Sequence, residues 1–218
     1  PRTLTVGLRK GLLTNGFNYT QSLLNSNLLK AHQSWGHHML SGVIGLEFQS
    51  NYGDNTLSSG GGVPSDLHIM DVAAVPVSVA GSKYKSTFNS YFSQADYSFA
   101  NKYFLTGSFR RDGSSKFGNR NQYGNFWAAG GSWILSNENF LAGNAVLTLL
   151  KVRASYGTTG NANIADFITR GVYSISQQYA GSSAAIPARL SNPDLAWEKA
   201  YTTNFGLNAD LINRVTLT

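Results

Sequence analysis

Six stretches of this chain alternate with period 2, and in each of them one face carries no charge. The first such face is Leu40, Gly42, Ile44, Leu46 and Phe48. Next come Tyr91, Ser93, Ala95, Tyr97 and Phe99, then Tyr103, Leu105, Gly107 and Phe109. Trp127, Ala129, Gly131, Trp133 and Leu135 form the fourth face, and Leu150, Val152, Ala154 and Tyr156 the fifth. Tyr201, Thr203, Phe205, Leu207 and Ala209 form the sixth. Alternation of this kind is the signature of a strand with two unlike faces. The opposite faces carry Glu47, Asp96, Arg110, Asp112, Lys151, Arg153 and Asp210. Lipid explains the contrast. A Lys or Arg at the bilayer midplane costs roughly 2–4 kcal/mol on the lipid face, while a watery lumen accepts either sign. The pattern predicts an all-β chain, an antiparallel up-and-down transmembrane β-barrel. Weaker strands fit 2–9, 17–29 and 214–218.

The connections support that reading. Phe99-Ala-Asn-Lys-Tyr103 and Asp210-Leu-Ile-Asn-Arg214 read as short turns at one end. The segments near 50–85 and 158–197 read as long loops at the other, and Ser58-Ser-Gly-Gly-Gly-Val-Pro64 is the most flexible-looking stretch. Outer-membrane barrels have this asymmetry of short periplasmic turns and long outer loops. Phe99, Tyr103 and Trp133 would form one interfacial girdle, and Phe109, Trp127, Tyr156 and Tyr201 the other. A soluble β-sandwich also has an uncharged apolar face, although its strands more often run about 5–6 residues. A soluble or surface-attached sandwich that binds glycans is therefore the alternative.

Only 13% of residues are charged and 12% are aromatic, with 23 glycines in 218 residues. Disordered chains are charge-rich and aromatic-poor, so disorder is not expected. The net charge of +6 comes from scattered Lys and Arg, not from a basic cluster, so no nucleic-acid partner is expected. No apolar run reaches the roughly 18 residues of a membrane helix. A barrel of about 22 strands at roughly 10 residues each would use the whole chain on strands alone, and counting strands and loops along this chain gives about ten, so a segment of a larger barrel is expected.

Candidate chemistry is sparse. There is no cysteine. His37 and His38 are adjacent, so in a strand they point to opposite faces and read as an interfacial pair near a turn. Asp96 and Asp112 lack an evident acid–base partner and suit salt bridges to lumen arginines. Gly60-Gly-Gly62 lacks the Lys-Ser/Thr of a phosphate loop. No enzyme activity, metal or cofactor is expected.

Four motifs carry a resemblance. The first is Tyr97-Ser-Phe-Ala-Asn-Lys-Tyr-Phe-Leu-Thr-Gly-Ser-Phe-Arg-Arg-Asp-Gly-Ser-Ser-Lys-Phe-Gly118. Tyr123-Gly124 with Trp133 follows, and then Lys151-Val-Arg-Ala-Ser-Tyr-Gly-Thr-Thr-Gly-Asn161. The last is Asn192-Pro-Asp-Leu-Ala-Trp-Glu198, with Asn204-Phe-Gly-Leu207 after it. In this order they resemble the SusC/RagA family of TonB-linked outer-membrane transporters of Bacteroidota, densely over 86–218 and loosely over 1–85. The resemblance implies a barrel of about 22 strands in the bacterial outer membrane. It implies an N-terminal plug driven by the TonB complex and a SusD-type surface lipoprotein as lid. It also implies import of oligosaccharides or peptides. Residues 1–218 would then be a middle portion of the barrel, without plug, TonB box, signal peptide or final strand. Trp127 stands where the family often has a proline nearby, which should let its strand continue.

The family-motif residues are Arg110, Arg111, Asp112, Gly113, Lys116, Phe117, Asn161, Asn192, Pro193, Trp197 and Glu198. They read as structural; for Arg110, Asp112 and Lys116, a charged network fixing loop geometry, substrate or lid contact is the functional alternative. The loop aromatics Tyr52, Phe167, Tyr173 and Tyr179 are candidate substrate contacts, since aromatic faces stack on sugar rings.

Overall fold

The computed structural model describes residues 11–64, 66–141, 143–144, 146–211 and 215–217, with the backbone alone at 176–178, 183 and 215–217. The strands are β1 (Leu13–Trp35), β2 (His38–Gly61), β3 (Val75–Phe99), β4 (Tyr103–Ser114) and β5 (Tyr123–Ile134). They continue with β6 (Leu147–Asn161), β7 (Val172–Tyr179), β8 (Ser182–Arg189), β9 (Glu198–Leu211) and β10 (Val215–Leu217). One eight-stranded sheet has the order β1-β2-β3-β4-β5-β6-β9-β10, and β7 pairs with β8 in a separate hairpin. Every described pairing is antiparallel. A sandwich needs two sheets packed face to face. A single sheet plus a two-stranded hairpin does not supply them, so the sandwich alternative falls. The weak strand over 2–9 lies outside the described residues.

Contacts divide the described chain into two units, Pro1–Leu23 with Gln49–Ser86 and Leu24–Phe48 with Thr87–Thr218. The first unit differs from the long loop expected over 50–85. The stretch 50–85 is mostly strand: β2 runs to Gly61, β3 begins at Val75, and the connection shrinks to 62–74 with a 3₁₀ turn at Met70–Val72. Gly60 and Gly61, expected to be flexible, are buried strand residues. Strands β1, β2 and β3 have 23, 24 and 25 residues, more than twice the roughly 9–11 that cross a bilayer. Strand that runs past lipid meets water on both faces, so Asn51 to Ser59 show no apolar alternation to read.

In the second unit the ladder registers test the alternating faces directly. Directly opposed residues of an antiparallel pair share a face. Tyr97 pairs with Leu105, Leu105 with Gly131, Gly131 with Ala154 and Ala154 with Phe205. Five faces chosen strand by strand are therefore one continuous surface. It is apolar and open: Leu105, Phe205 and Leu207 are 59%, 83% and 53% exposed. Strand β5 continues through Trp127 as expected.

The short-turn end is built by Gly36-His37, by Ala100 to Lys102 and by 135–146. Ala100 and Asn101 both have φ of 52°, the positive values that a type I′ hairpin turn demands of its two central residues. The turn over Asp210–Arg214 includes 212–214, which lie outside the described residues. At the opposite end, 115–122 joins β4 to β5, and 162–197, carrying the β7–β8 hairpin, joins β6 to β9.

Candidate functional site: a barrel wall and its outer rim

The four motifs meet at the long-loop end of the second unit. Trp197 stacks on Phe117 at 4.8 Å between ring centroids and meets Phe126 edge-on at 5.4 Å and Phe88 at 6.0 Å. Phe117, Phe126 and Trp197 are buried, with Ala162, Ile164 and Leu195 packed around them. The indole Nε1–H donates to the Gln122 carbonyl at 3.1 Å. A Cβ on Gly118 would overlap the Pro193 carbonyl, and one on Gly160 would overlap the Phe126 ring, so these glycines admit the neighbours that close the cluster. Asn192 N–H donates to the Thr169 carbonyl at 3.2 Å. The Lys116 ammonium donates to the Ile164 carbonyl at 2.9 Å and lies 3.4 Å from Asp166. Asn161 donates to Glu198 at 3.0 Å across their ladder pair.

Below this cluster, on the charged face, Arg110 organises a second group. Its Nε donates to Asp112 Oδ1 at 2.6 Å, its Nη2 donates to Ser90 at 2.9 Å, and Glu47 lies 3.5 Å away. The guanidinium also sits 5.4 Å from the Phe92 ring centroid. Asp112 and Ser90 are buried. Charge here is paired and hydrogen-bonded, as buried charge must be. Asp96 differs from expectation: it accepts from Gln94 at 2.9 Å and Thr106 at 2.5 Å and pairs with no arginine among the described residues.

The aromatic girdles form rows in space. Phe99, Tyr103 and Trp133 stack in succession at the short-turn end, 6.2 and 5.9 Å apart. His38 joins them, 4.7 Å from Phe99 and with Nδ1 2.7 Å from the Tyr97 hydroxyl. At the other end Trp127 meets Tyr156 at 5.5 Å. The reading by sequence missed Glu138. Its carboxylate accepts from Tyr103 at 2.6 Å, Trp133 Nε1 at 3.1 Å and Lys102 at 3.1 Å. These donors, Tyr103 first, hold its pKa below the usual glutamate value.

The aromatic candidates fare unevenly. Tyr52 is not in a loop: it lies within β2, donating to Asp54 at 3.3 Å. Phe167 occupies a turn at φ 60°, its carbonyl accepting from Arg189 at 2.7 Å. Tyr173 and Tyr179 stand on β7 of the outer hairpin and are 66% and 81% exposed.

A sheet with one continuous uncharged face, aromatic rows near both ends and a polar reverse face defines the wall of a transmembrane β-barrel. The chain matches the TonB dependent receptor-like β-barrel family over residues 3–218, and it belongs to that family. It is 37% identical over 136 residues to the TonB-dependent receptor SusC of Bacteroides thetaiotaomicron, covering 59% of this chain and 14% of that protein. TonB-dependent receptor P39 of Formosa agariphila is 39% identical over 126 residues, 58% of this chain and 12% of the relative. The solved RagAB peptide transporter superposes with a TM-score of 0.87 at 26% identity, over 93% of this chain and 23% of that one. The chain thus spans about an eighth of the length of these two curated relatives. The protein is SusC/RagA-like, its place is the bacterial outer membrane, and its family is one of transporters rather than enzymes.

Proposed function

We propose that residues 1–218 lie wholly within the barrel of a TonB-dependent importer of large nutrients, oligosaccharides or peptides. A plug elsewhere in the polypeptide opens under TonB pull, and a SusD-like surface lipoprotein covers the outer mouth. The chain contributes wall and rim and no covalent chemistry. One observation carries the reading: the uncharged faces of β3, β4, β5, β6 and β9 fall into a single lipid-facing register, with polar residues on the reverse side. The motif residues act structurally, clamping the outer connections to the barrel so that the lid and substrate meet a fixed rim. Phe167, Tyr173 and Tyr179 are the rim aromatics placed to meet substrate.

The test uses the full-length gene in its own host. Deletion should abolish growth on one class of oligosaccharide or peptide as sole carbon source, and the restored gene should recover it. A tagged full-length protein should co-purify with a surface lipoprotein. Unimpaired growth on every such substrate, with no lipoprotein recovered, would refute the reading.

A further inference from the structure

Strand β3 runs over Val75–Phe99, but its pairing with β4 starts only at Phe88, opposite Ser114 where β4 ends. In the first unit β3 is therefore the edge of the sheet β1-β2-β3 over residues 75–86. Successive residues of a paired strand direct their N–H and C=O groups to opposite sides. Just past β3, Ala100 N–H donates to the His37 carbonyl on the β2 side. Thr87 faces the other way: its carbonyl accepts from Ser115 N–H and its N–H donates to Ser115 Oγ. Odd-numbered residues of β3 thus face away from β2, and along the edge these are Val77, Val79, Gly81, Lys83 and Lys85. Among the described residues no strand lies on that side, and no backbone hydrogen bond from a turn or loop reaches 75–86.

The edge is unguarded at its centre. Sheet edges are usually blunted by Pro, by charged side chains or by a covering segment. Here Pro76 stands at one end and Lys83 and Lys85 at the other, with Lys83 paired to Asp54 at 3.0 Å. Between them runs Val77-Ser-Val-Ala-Gly-Ser82, exposed throughout, with Val77 at 53% and Val79 at 79%. Free donors and acceptors on such an edge repeat about every 7 Å, which is the repeat of another extended polypeptide. The side chains beside it are small and uncharged, and they offer no pocket or aromatic anchor of the kind that holds a fixed protein partner. One added strand of about six residues also covers far less than the roughly 800 Å² per side of a stable protein interface. The edge therefore fits a ligand that is held by its backbone, whatever its sequence, and then released.

We propose that the β3 edge over residues 77–85 captures peptides in extended form by strand addition, with main-chain hydrogen bonds supplying the affinity. A glycan has no in-line alternation of amide donor and acceptor, so the edge makes peptides the substrate class. The inference rests on the importer reading and narrows it. Proline is tolerated at an edge position whose N–H faces outward, since no ladder bond is lost there. Val77 and Val79 are such positions.

The experiment uses full-length protein in neutral detergent, purified without its lipoprotein. The probe is a capped peptide of about eight residues, alternating Thr and Gln, long enough to span the edge at roughly 3.4 Å per residue. The same peptide N-methylated at every amide, and maltohexaose, serve as comparisons. Calorimetry reads affinity, and amide exchange reads the edge. Without peptide, about half the amides across 77–86 should exchange within seconds, the half that faces away from β2. The plain peptide should slow them at least about tenfold, and neither comparison ligand should. Val77→Pro with Val79→Pro removes two outward donors and should weaken peptide binding about twenty-fivefold, roughly fivefold per bond, with the thermal midpoint unchanged. No peptide binding by wild type, equal binding of the plain and N-methylated peptides, or unweakened binding by the double variant overturns the site. So does an edge protected before peptide is added, which would give it to another segment of the same polypeptide. Protection gained only on adding the surface lipoprotein would give it to the lid and overturns the proposal equally. If the double variant does not fold, the N-methylated peptide on wild type decides alone. A protein that imports oligosaccharide and has a bare edge that takes no peptide sinks this inference and leaves the importer reading intact, so the two failures are distinguishable.

Discussion

Replacing Trp197 should release the outer rim without melting the barrel wall. The indole is 9% exposed and packs against Phe117, Phe126 and Phe88. Truncating a buried Trp to Ala costs about 3–5 kcal/mol, transfer and cavity terms together. The cluster joins the connections 115–122 and 192–197 to the inner face of β5, and ladder hydrogen bonds of the sheet do not pass through it. The loss should therefore appear as local opening. Amide exchange by mass spectrometry on the full-length protein in detergent reads this directly. In Trp197→Ala, peptides over 115–122 and 192–197 should exchange two to three and a half orders of magnitude faster, at about 1.4 kcal/mol per decade. Peptides from the middle of β4 and β5 should not change. Trp197→Phe keeps a ring but removes the donor to the Gln122 carbonyl, worth about 1 kcal/mol, and should accelerate the same peptides roughly fivefold. Acceleration below about threefold at 115–122 in the alanine variant, or an equal rise throughout β4 and β5, would refute the clamp.

Two further perturbations probe the paired charges. Arg110→Gln leaves buried Asp112 without its cation. With Arg110 itself partly exposed, solvent screening holds the loss to about 1–3 kcal/mol, and Asp112→Asn added to it should recover part of that in urea unfolding of the full-length protein. A double variant as unstable as the sum of the singles would show the pair is uncoupled. Glu138 has its pKa lowered by donors from Tyr103, Lys102 and Trp133, so its stabilising contribution is present above the ordinary glutamate value of 4.5 and fades as pH falls through the lowered one. Thermal midpoints of wild type should therefore drop on acidification below that ordinary value more than those of Glu138→Gln; parallel acid limbs would contradict the assignment.

The membrane-facing half of the fold was legible because lipid imposes a rule on every second residue. Tyr97, Leu105, Gly131, Ala154 and Phe205 sit on five different strands, and one register joins them, since a strand slipped by one residue would turn a charge outward. That rule stops where lipid stops. Tyr52 and the glycines at 60 and 61 lie in strand that has water on both sides or packs within its own unit, and no alternation marks them. The 50–85 stretch therefore reads as loop from sequence, although β2 and β3 fill most of it. The outer hairpin β7–β8 was invisible for a related reason: two strands alone have no second layer to impose an apolar face.

The rim was legible as a set of residues and not as an arrangement. Lys116, Phe117, Asn161, Asn192, Pro193 and Trp197 belong together by resemblance, and periodicity gives no reason for them to meet. The reason lies in contacts that sequence spacing does not encode: an indole reaching the Gln122 carbonyl, and an ammonium reaching the Ile164 carbonyl. Phe126 on β5 and Phe88 on β3 are the available signals, aromatics on the polar face of a strand where water would otherwise sit. Such residues must find cover: Trp197 supplies it to both, and Gly160 lets Phe126 approach closely. The same test, a side chain of the wrong polarity for its face, also marks Arg111, which lies against the Tyr123 ring. Residues that break the alternation are thus the ones that carry information beyond the barrel wall itself.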